Sequence, residues 1–202
     1  MVVILLWVFF RERRTSRVSA GGGIVSADST AAGTSKAVSS RDILSSACGD
    51  RVIREGRVGK LAIGDPVDSV RRCAVVRDTM VSYGEGSLTR TLFVAFAADT
   101  VGAEIVDGKV WRLTVSSPGL RTVDSLGVGT SLRQLLDMSS PRGASGEGRM
   151  FVLSPDHCGQ SFEINYFGPM PRGGWIPAAL ARLPDTTHVI RVLVNSCHRS
   201  LY

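Results

Sequence analysis

Two short stretches, far apart in the chain, carry the same residue types in the same order. Ile63-Gly64-Asp65-Pro66-Val67-Asp68-Ser69-Val70 and Val128-Gly129-Thr130-Ser131-Leu132-Arg133-Gln134-Leu135 each read as apolar residue, glycine, capping residue, helix-start residue, then apolar residues at i and i+3. Each part of that order has a physical reason. Glycine supplies backbone conformations that other residues avoid. A short oxygen-bearing side chain accepts a free N–H of the first helical turn. Proline suits the first helical position. The i, i+3 spacing puts two apolar side chains on one side. Asp65 is therefore the expected N-cap of the first helix, with Pro66 at its first position. Glycine-rich turns and strand-like segments follow each stretch. The order implies an α+β fold in which short helices pack on antiparallel sheet, with one small unit used twice, over about 50–116 and 117–202.

The strand signals are strongest in the middle of the chain. Arg90 to Ala97 is rich in β-formers. Glu104-Ile105-Val106 and Val110 to Val115 flank Asp107-Gly108, a dipeptide that tolerates the positive φ of a tight hairpin. Strict alternation along the second run places Trp111, Leu113 and Val115 toward the core. Later strands are expected over Arg149–Leu153, Ser161–Tyr166 and His188–Asn195, with a short helix or turn over Trp175–Leu183. A short helix capped by Ser40 is expected to end near Gly49.

The N-terminal region has a different character. Val2 to Phe10 is almost wholly apolar, but as helix it covers only ~14 Å, well short of a ~30 Å hydrocarbon core. No stable transmembrane span is expected. The length suits the apolar part of a signal peptide, although no positive residue precedes it and Arg11 to Arg14 follow directly. Residues 15–40 are mostly Ser, Ala, Gly and Thr and read as a flexible linker. The organisation expected is 1–40 as leader and linker and 41–202 as the globular region.

Four cysteines, Cys48, Cys73, Cys158 and Cys197, point to two disulfides in an exported chain. Of the three possible pairings, proximity along the chain favours Cys48–Cys73 and Cys158–Cys197. A periplasmic or secreted location follows from the leader and the cysteines together. The alternative is a cytoplasmic protein whose cysteines are buried thiols.

Val110 to Val115, Arg121-Thr122-Val123-Asp124, Leu126 to Leu132, and the late Cys158 and Cys197 resemble exported bacterial proteins that are mostly uncharacterised. That resemblance spans roughly residues 58–199. The apolar–Gly–helix-start pattern also resembles, more distantly, the repeats of β-lactamase-inhibitor protein and of small outer-membrane assembly lipoproteins. It implies short helices on an antiparallel sheet and function by binding other proteins. The first cysteine is Cys48, so no lipid-anchor cysteine stands just behind the apolar run.

No catalytic constellation emerges. His157-Cys158 and Cys197-His198 supply the residue types of a tetrahedral zinc site, but adjacent strand residues point to opposite faces. Disulfides are the simpler use of those cysteines. A small hydrolase with Cys158 or a serine as nucleophile and His157 or His188 as base is the alternative enzyme reading. Gly143 to Gly148 resembles a phosphate loop in composition, but Arg149-Met150 stands where a P-loop has Lys-Ser/Thr. Glu104, Asp107, Asp124 and Glu163 show no acid/base pairing motif. No cofactor is implied. The net charge of +6 comes mostly from scattered arginines, without the clustered basic residues and aromatics of a nucleic-acid surface. The reading that remains is a non-catalytic interaction module with another envelope protein as partner, Trp111 and Trp175 being its candidate surface aromatics. A structural envelope protein without specific ligand is the third reading.

Overall fold

A computed structural model describes residues 48–82, 87–146, 148–169 and 176–198. Residues 1–40, expected as leader and linker, the start of the helix expected from Ser40, and Trp175 lie outside these residues. The architecture is α+β but strand-dominated. A small sheet comprises β1 (Val52–Arg54), β2 (Arg57–Val58), β3 (Leu61–Ala62) and β8 (Arg121–Thr122), in the order β3-β2-β1-β8. The large sheet comprises β4 (Val75–Ser82), β5 (Leu88–Phe96), β6 (Asp99–Val106), β7 (Lys109–Val115), β9 (Arg142–Gly146), β10 (Arg149–Leu153), β11 (Gln160–Ile164) and β12 (Val189–Val194). Its order is β4-β5-β6-β7-β12-β11-β10-β9, and every neighbouring pair is antiparallel. Two four-stranded meanders thus meet through their last strands.

A short helix precedes each meander: α1 (Val67–Arg71) and α2 (Leu132–Leu136). The turns that launch them have the same backbone bonding. Gly64 and Gly129 both have φ +88°. Gly64 N–H donates to the Val110 carbonyl and Val110 N–H to that of Asp65, both at 2.8 Å. In the second half Gly129 N–H donates to Val189 at 2.7 Å and Val189 N–H to Thr130 at 2.8 Å. Val67 N–H reaches Gly108, and Leu132 N–H reaches Thr187. Asp65 and Thr130 also do the same work with their side chains, accepting from Ala62 N–H and Gly127 N–H, each at 2.9 Å.

That last bond corrects the expected cap. Asp65 turns its carboxylate back to Ala62, so the N-cap position of α1 falls on Pro66, whose φ −68° and ψ 150° are extended. Proline has no capping side chain, and α1 starts one residue late. In α2, Ser131 occupies the same place and forms a full capping box with Gln134. A third helix, α3 (Pro177–Leu180), lies within the expected Trp175–Leu183 segment.

The core gathers one face of the large sheet (Leu92, Val94 and Phe96; Val101 and Ala103; Leu113 and Val115; Val152 and Phe162; Val192 and Val194) against Ile53, Val58 and Leu61 of the small sheet and Val70, Leu135 and Leu180 of the helices. Cys48–Cys73 and Cys158–Cys197 are both bridged, with Cα separations of 5.2 and 5.1 Å. Two disulfides place the folded chain in an oxidising environment. No helix among the described residues is long and apolar enough to cross a membrane.

Candidate functional site

The site is built by one irregularity that occurs in both halves. On β6 and β7, Glu104 pairs with Arg112 and Ile105 with Val110, so Trp111 is an extra residue without a cross-strand counterpart. On β11 and β12, Glu163 pairs with Arg191 and Ile164 with Val189, leaving Ile190 extra. Such a bulge re-aims the side chains that follow it. Val110 and Leu113 both stay in the core, and the two residues between them turn to the opposite face of the sheet. Trp111 is accordingly 62% exposed. This overturns the expectation that Trp111 packs in the core with Leu113 and Val115. Alternation holds along β7 only on either side of the bulge.

That second face carries charge. Glu104 is 1% exposed and Glu163 3%. Arg112 Nε–H and the Thr114 hydroxyl both donate to Glu104 Oε1 at 2.8 Å. In the other half, Arg191 Nη1 stands 3.3 Å from Glu163 Oε2, and Arg149 Nε stands 3.8 Å from Oε1. Glu163 Oε2 and Arg191 Nη1 are close enough to attract but form no aligned hydrogen bond. The difference traces to one position: β7 offers Thr114 beside its glutamate, whereas Leu193 sits opposite Thr114 on β12. Sequence reading finds no carboxylate pair here because the pairing is with arginines across strands, a relation fixed by register.

Two hollows open on this face. One, of about 260 Å³, is lined by Trp111, Leu153, Gly159, Ser161, Asn195, Ser196 and His198, with a mostly apolar wall. The other, of about 180 Å³, is lined by Arg112, Gly146, Arg149, Phe151, Ser161 and Leu193. Ser161 borders both. The Cys158–Cys197 bridge fixes the wall of the first, since Gly159 and Ser196 each adjoin one of its cysteines. Asn195 N–H donates to the Gly159 carbonyl at 2.7 Å, and a Cβ at Gly159 would lie 2.5 Å from the Asn195 carbonyl oxygen. Only glycine fits there, at φ +76°.

The candidate catalytic residues are placed elsewhere. Cys158 is in its disulfide and offers no thiolate. His157 is buried, with its Nε2 3.5 Å from Asp124 Oδ2 and its ring edge-on to Phe162. The Ser154 hydroxyl donates to the Ser139 carbonyl at 2.8 Å and accepts from Asp156 N–H, which starts the turn Pro155–His157. His188 places Nδ1 2.8 Å from the Thr186 carbonyl. Ser139 N–H donates to Asp156, and hydrogen bonding from Ser139, helped by His157, lowers the Asp156 carboxyl from its ordinary range. These contacts shape a loop. Within the glycine-rich Gly143–Gly148 stretch the chain forms no phosphate loop up to Gly146: Arg142–Gly146 is the edge strand β9, paired along its length with β10 despite its glycines.

No family model and no curated protein matches the chain. Among solved structures the fold is similar to that of the uncharacterized protein yfeY from Escherichia coli, with a TM-score of 0.51 and 16% identity. The match covers 71% of this chain and 99% of that one. At such identity the likeness shows a shared fold.

Proposed function

We propose that this chain is a non-catalytic binding module of the bacterial envelope, exported to the periplasm or beyond, and that it grips another protein with the Trp111 face of its large sheet. The observation that carries this reading is the Trp111 bulge. A large aromatic is turned out of the core, left 62% exposed, and set on the rim of a hollow with an apolar wall and polar ends at Asn195 and Ser196. An exposed aromatic beside an apolar pocket with a polar rim is the anatomy of an interface anchor.

We further infer that residues 50–116 and 117–202 are two related units and that residues 1–40 serve export. The matched bonds at Gly64 and Gly129, the matched bulges and the matched Glu–Arg pairs support the first inference. The disulfides and the apolar Val2–Phe10 run support the second. Binding through a helix-on-sheet repeat is also what the resemblance to β-lactamase-inhibitor protein implies.

The test is capture from envelope extract under mild crosslinking, with wild-type chain and Trp111→Ala side by side. A partner retained by wild type and lost from Trp111→Ala supports the reading. Equal capture by both, or none by wild type, refutes it.

A further inference from the structure

The large sheet ends on one side in β4, a strand of 8 residues that pairs with β5 alone. Among the described residues nothing pairs with its outer edge, and Val76, Arg77, Asp78 and Met80 are exposed along it. We propose that this edge takes an extended segment of another polypeptide as a further antiparallel strand, with an acidic residue of that segment opposite Arg77. The edge lies three strands from β7 and its Trp111, so it is a second contact surface.

An unpaired edge offers a row of backbone N–H and C=O groups to any extended chain. Edges are normally blunted by shortness, lysine, proline or a bulge. β4 is long and contains neither lysine nor proline. Its bulge lies at one end: Val75 pairs with Val94 and Arg77 with Phe93, leaving Val76 extra, and from Arg77 onward the register is regular. Arg77 to Val81 is therefore a continuous template. The opposite edge strand, β9, has 5 residues and includes Gly143 and Gly146, which makes it the poorer one.

The register selects the acid. Arg77, Thr79 and Val81 stand opposite Phe93, Thr91 and Thr89 and share one face, while Asp78 and Met80 stand opposite Leu92 and Arg90 and share the other. Asp78 is already answered: Arg90 Nε–H and Nη2–H donate to its two oxygens at 3.0 and 2.6 Å, and Arg71 Nη2 stands 3.7 Å away. Arg77 is not. Its guanidinium lies over the Phe93 ring, 4.0 Å from the centroid, and among the described residues it has no carboxylate partner. The ring holds the cation in place, which lowers the entropy lost on pairing. Directly opposite residues of antiparallel strands bring their Cβ atoms to about 5 Å, so a Glu facing Arg77 completes a cross-strand pair. Met80, 53% exposed, favours an apolar residue opposite it.

A second copy of this chain does not meet those terms. Arg77 and Asp78 are consecutive and point to opposite faces, so no two-fold pairing of β4 with itself sets one against the other. A pair centred on either residue brings like charges together, and one centred on Thr79 sets Arg77 against Val81.

The peptide acetyl-Val-Ile-Thr-Thr-Glu-Gly-amide, laid antiparallel, places its Ile opposite Met80 and its Glu opposite Arg77. The experiment titrates the full oxidised chain, isotope-labelled, with this peptide and with its Gln counterpart and follows backbone amides by NMR. Shifts and slowed hydrogen exchange are expected at alternate residues of β4, those whose N–H points outward. The Glu peptide should bind about threefold tighter than the Gln peptide, the scale of one cross-strand ion pair, and Arg77→Gln should remove that difference. Methylating one alternate set of peptide amides should abolish binding, and methylating the other set, which faces solvent, should preserve it. No change in β4 at millimolar peptide, or equal effects of the two methylations, overturns strand addition. Equal binding of the Glu and Gln peptides to the unsubstituted chain overturns the acid opposite Arg77. Self-association of the chain without peptide, protecting the same β4 amides, overturns the foreign segment in favour of a second copy.

Discussion

Removing Arg112 tests the charged face most directly. Glu104 exposes 2% of its side chain, whereas Arg112 keeps 20% of its own in contact with solvent. The pair is therefore asymmetric. In Arg112→Met the Glu104 carboxylate stays buried with the Thr114 hydroxyl to hold it. Stranding one member of a buried pair costs about 3–5 kcal/mol, and the retained hydroxyl puts this case near the lower end, at about 3 kcal/mol. In Glu104→Leu the arginine loses its buried carboxylate but keeps its contact with solvent, and the loss should be about 1–2 kcal/mol. The double variant removes both members of this pair and should cost about 1 kcal/mol, since apolar replacement of both partners is often close to neutral. The coupling is then about 3 kcal/mol, well above the scatter of independent sites. Urea unfolding of the oxidised chain measures all three. For a chain of this size Arg112→Met should also lower the melting temperature by roughly 6–12 °C. If Arg112→Met costs under about 1 kcal/mol, or if the two single losses simply add in the double variant, the argument from the buried pair is wrong.

Other outcomes follow from the same geometry. Replacing Cys158 and Cys197 by alanine should destabilise by about 4 kcal/mol, the loop-closure value for their sequence separation of 39, and a denaturation midpoint that barely moves would contradict it. Gly159→Ala should cost about 2–3 kcal/mol because its Cβ meets the Asn195 carbonyl, while Gly56→Ala, with a similar positive φ but open space, should cost about 1 kcal/mol; equal losses would refute the role of close approach. Asp78, held below the ordinary carboxylate range by hydrogen bonds from Arg90 and then by the charges of Arg90 and Arg71, should contribute stability that is full above about pH 4 and lost as pH falls through its lowered folded value. Asp156 behaves in the same sense through Ser139. Urea midpoints against pH should therefore fall less steeply on the acid side for Asp78→Asn and Asp156→Asn than for wild type.

Legibility varies with how local the cause is. The Asp107-Gly108 hairpin is readable because both residues take positive φ within the turn itself, 49° and 73°. The two helix-launching turns are readable for the same reason. Strand β4 is not, because its residues are half-exposed along an edge and show no clean alternation. The two-residue strands of the small sheet are too short to carry a period, and β8 lies far from β1 in sequence. Trp111 leaves its expected face through a bulge, which is decided by pairing with β6 rather than by anything in β7 alone. The Glu104–Arg112 and Glu163–Arg191 pairs are likewise properties of register. The site thus arises where strands meet, and a linear reading sees each strand separately.

The junction between the halves has a consequence for how the chain comes into being. β7 joins β12 through Val115–Val192, Thr114–Leu193 and Leu113–Val194, and β12 is the last strand of the sheet to be made. Until it arrives, β7 is an open edge carrying Val110, Leu113 and Val115, a template for any other extended chain. The first meander therefore waits, sticky and incomplete, while residues 116–194 are made. Proteolytic loss of β12 would recreate that condition in the finished protein, turning a closed junction into a nucleus for assembly.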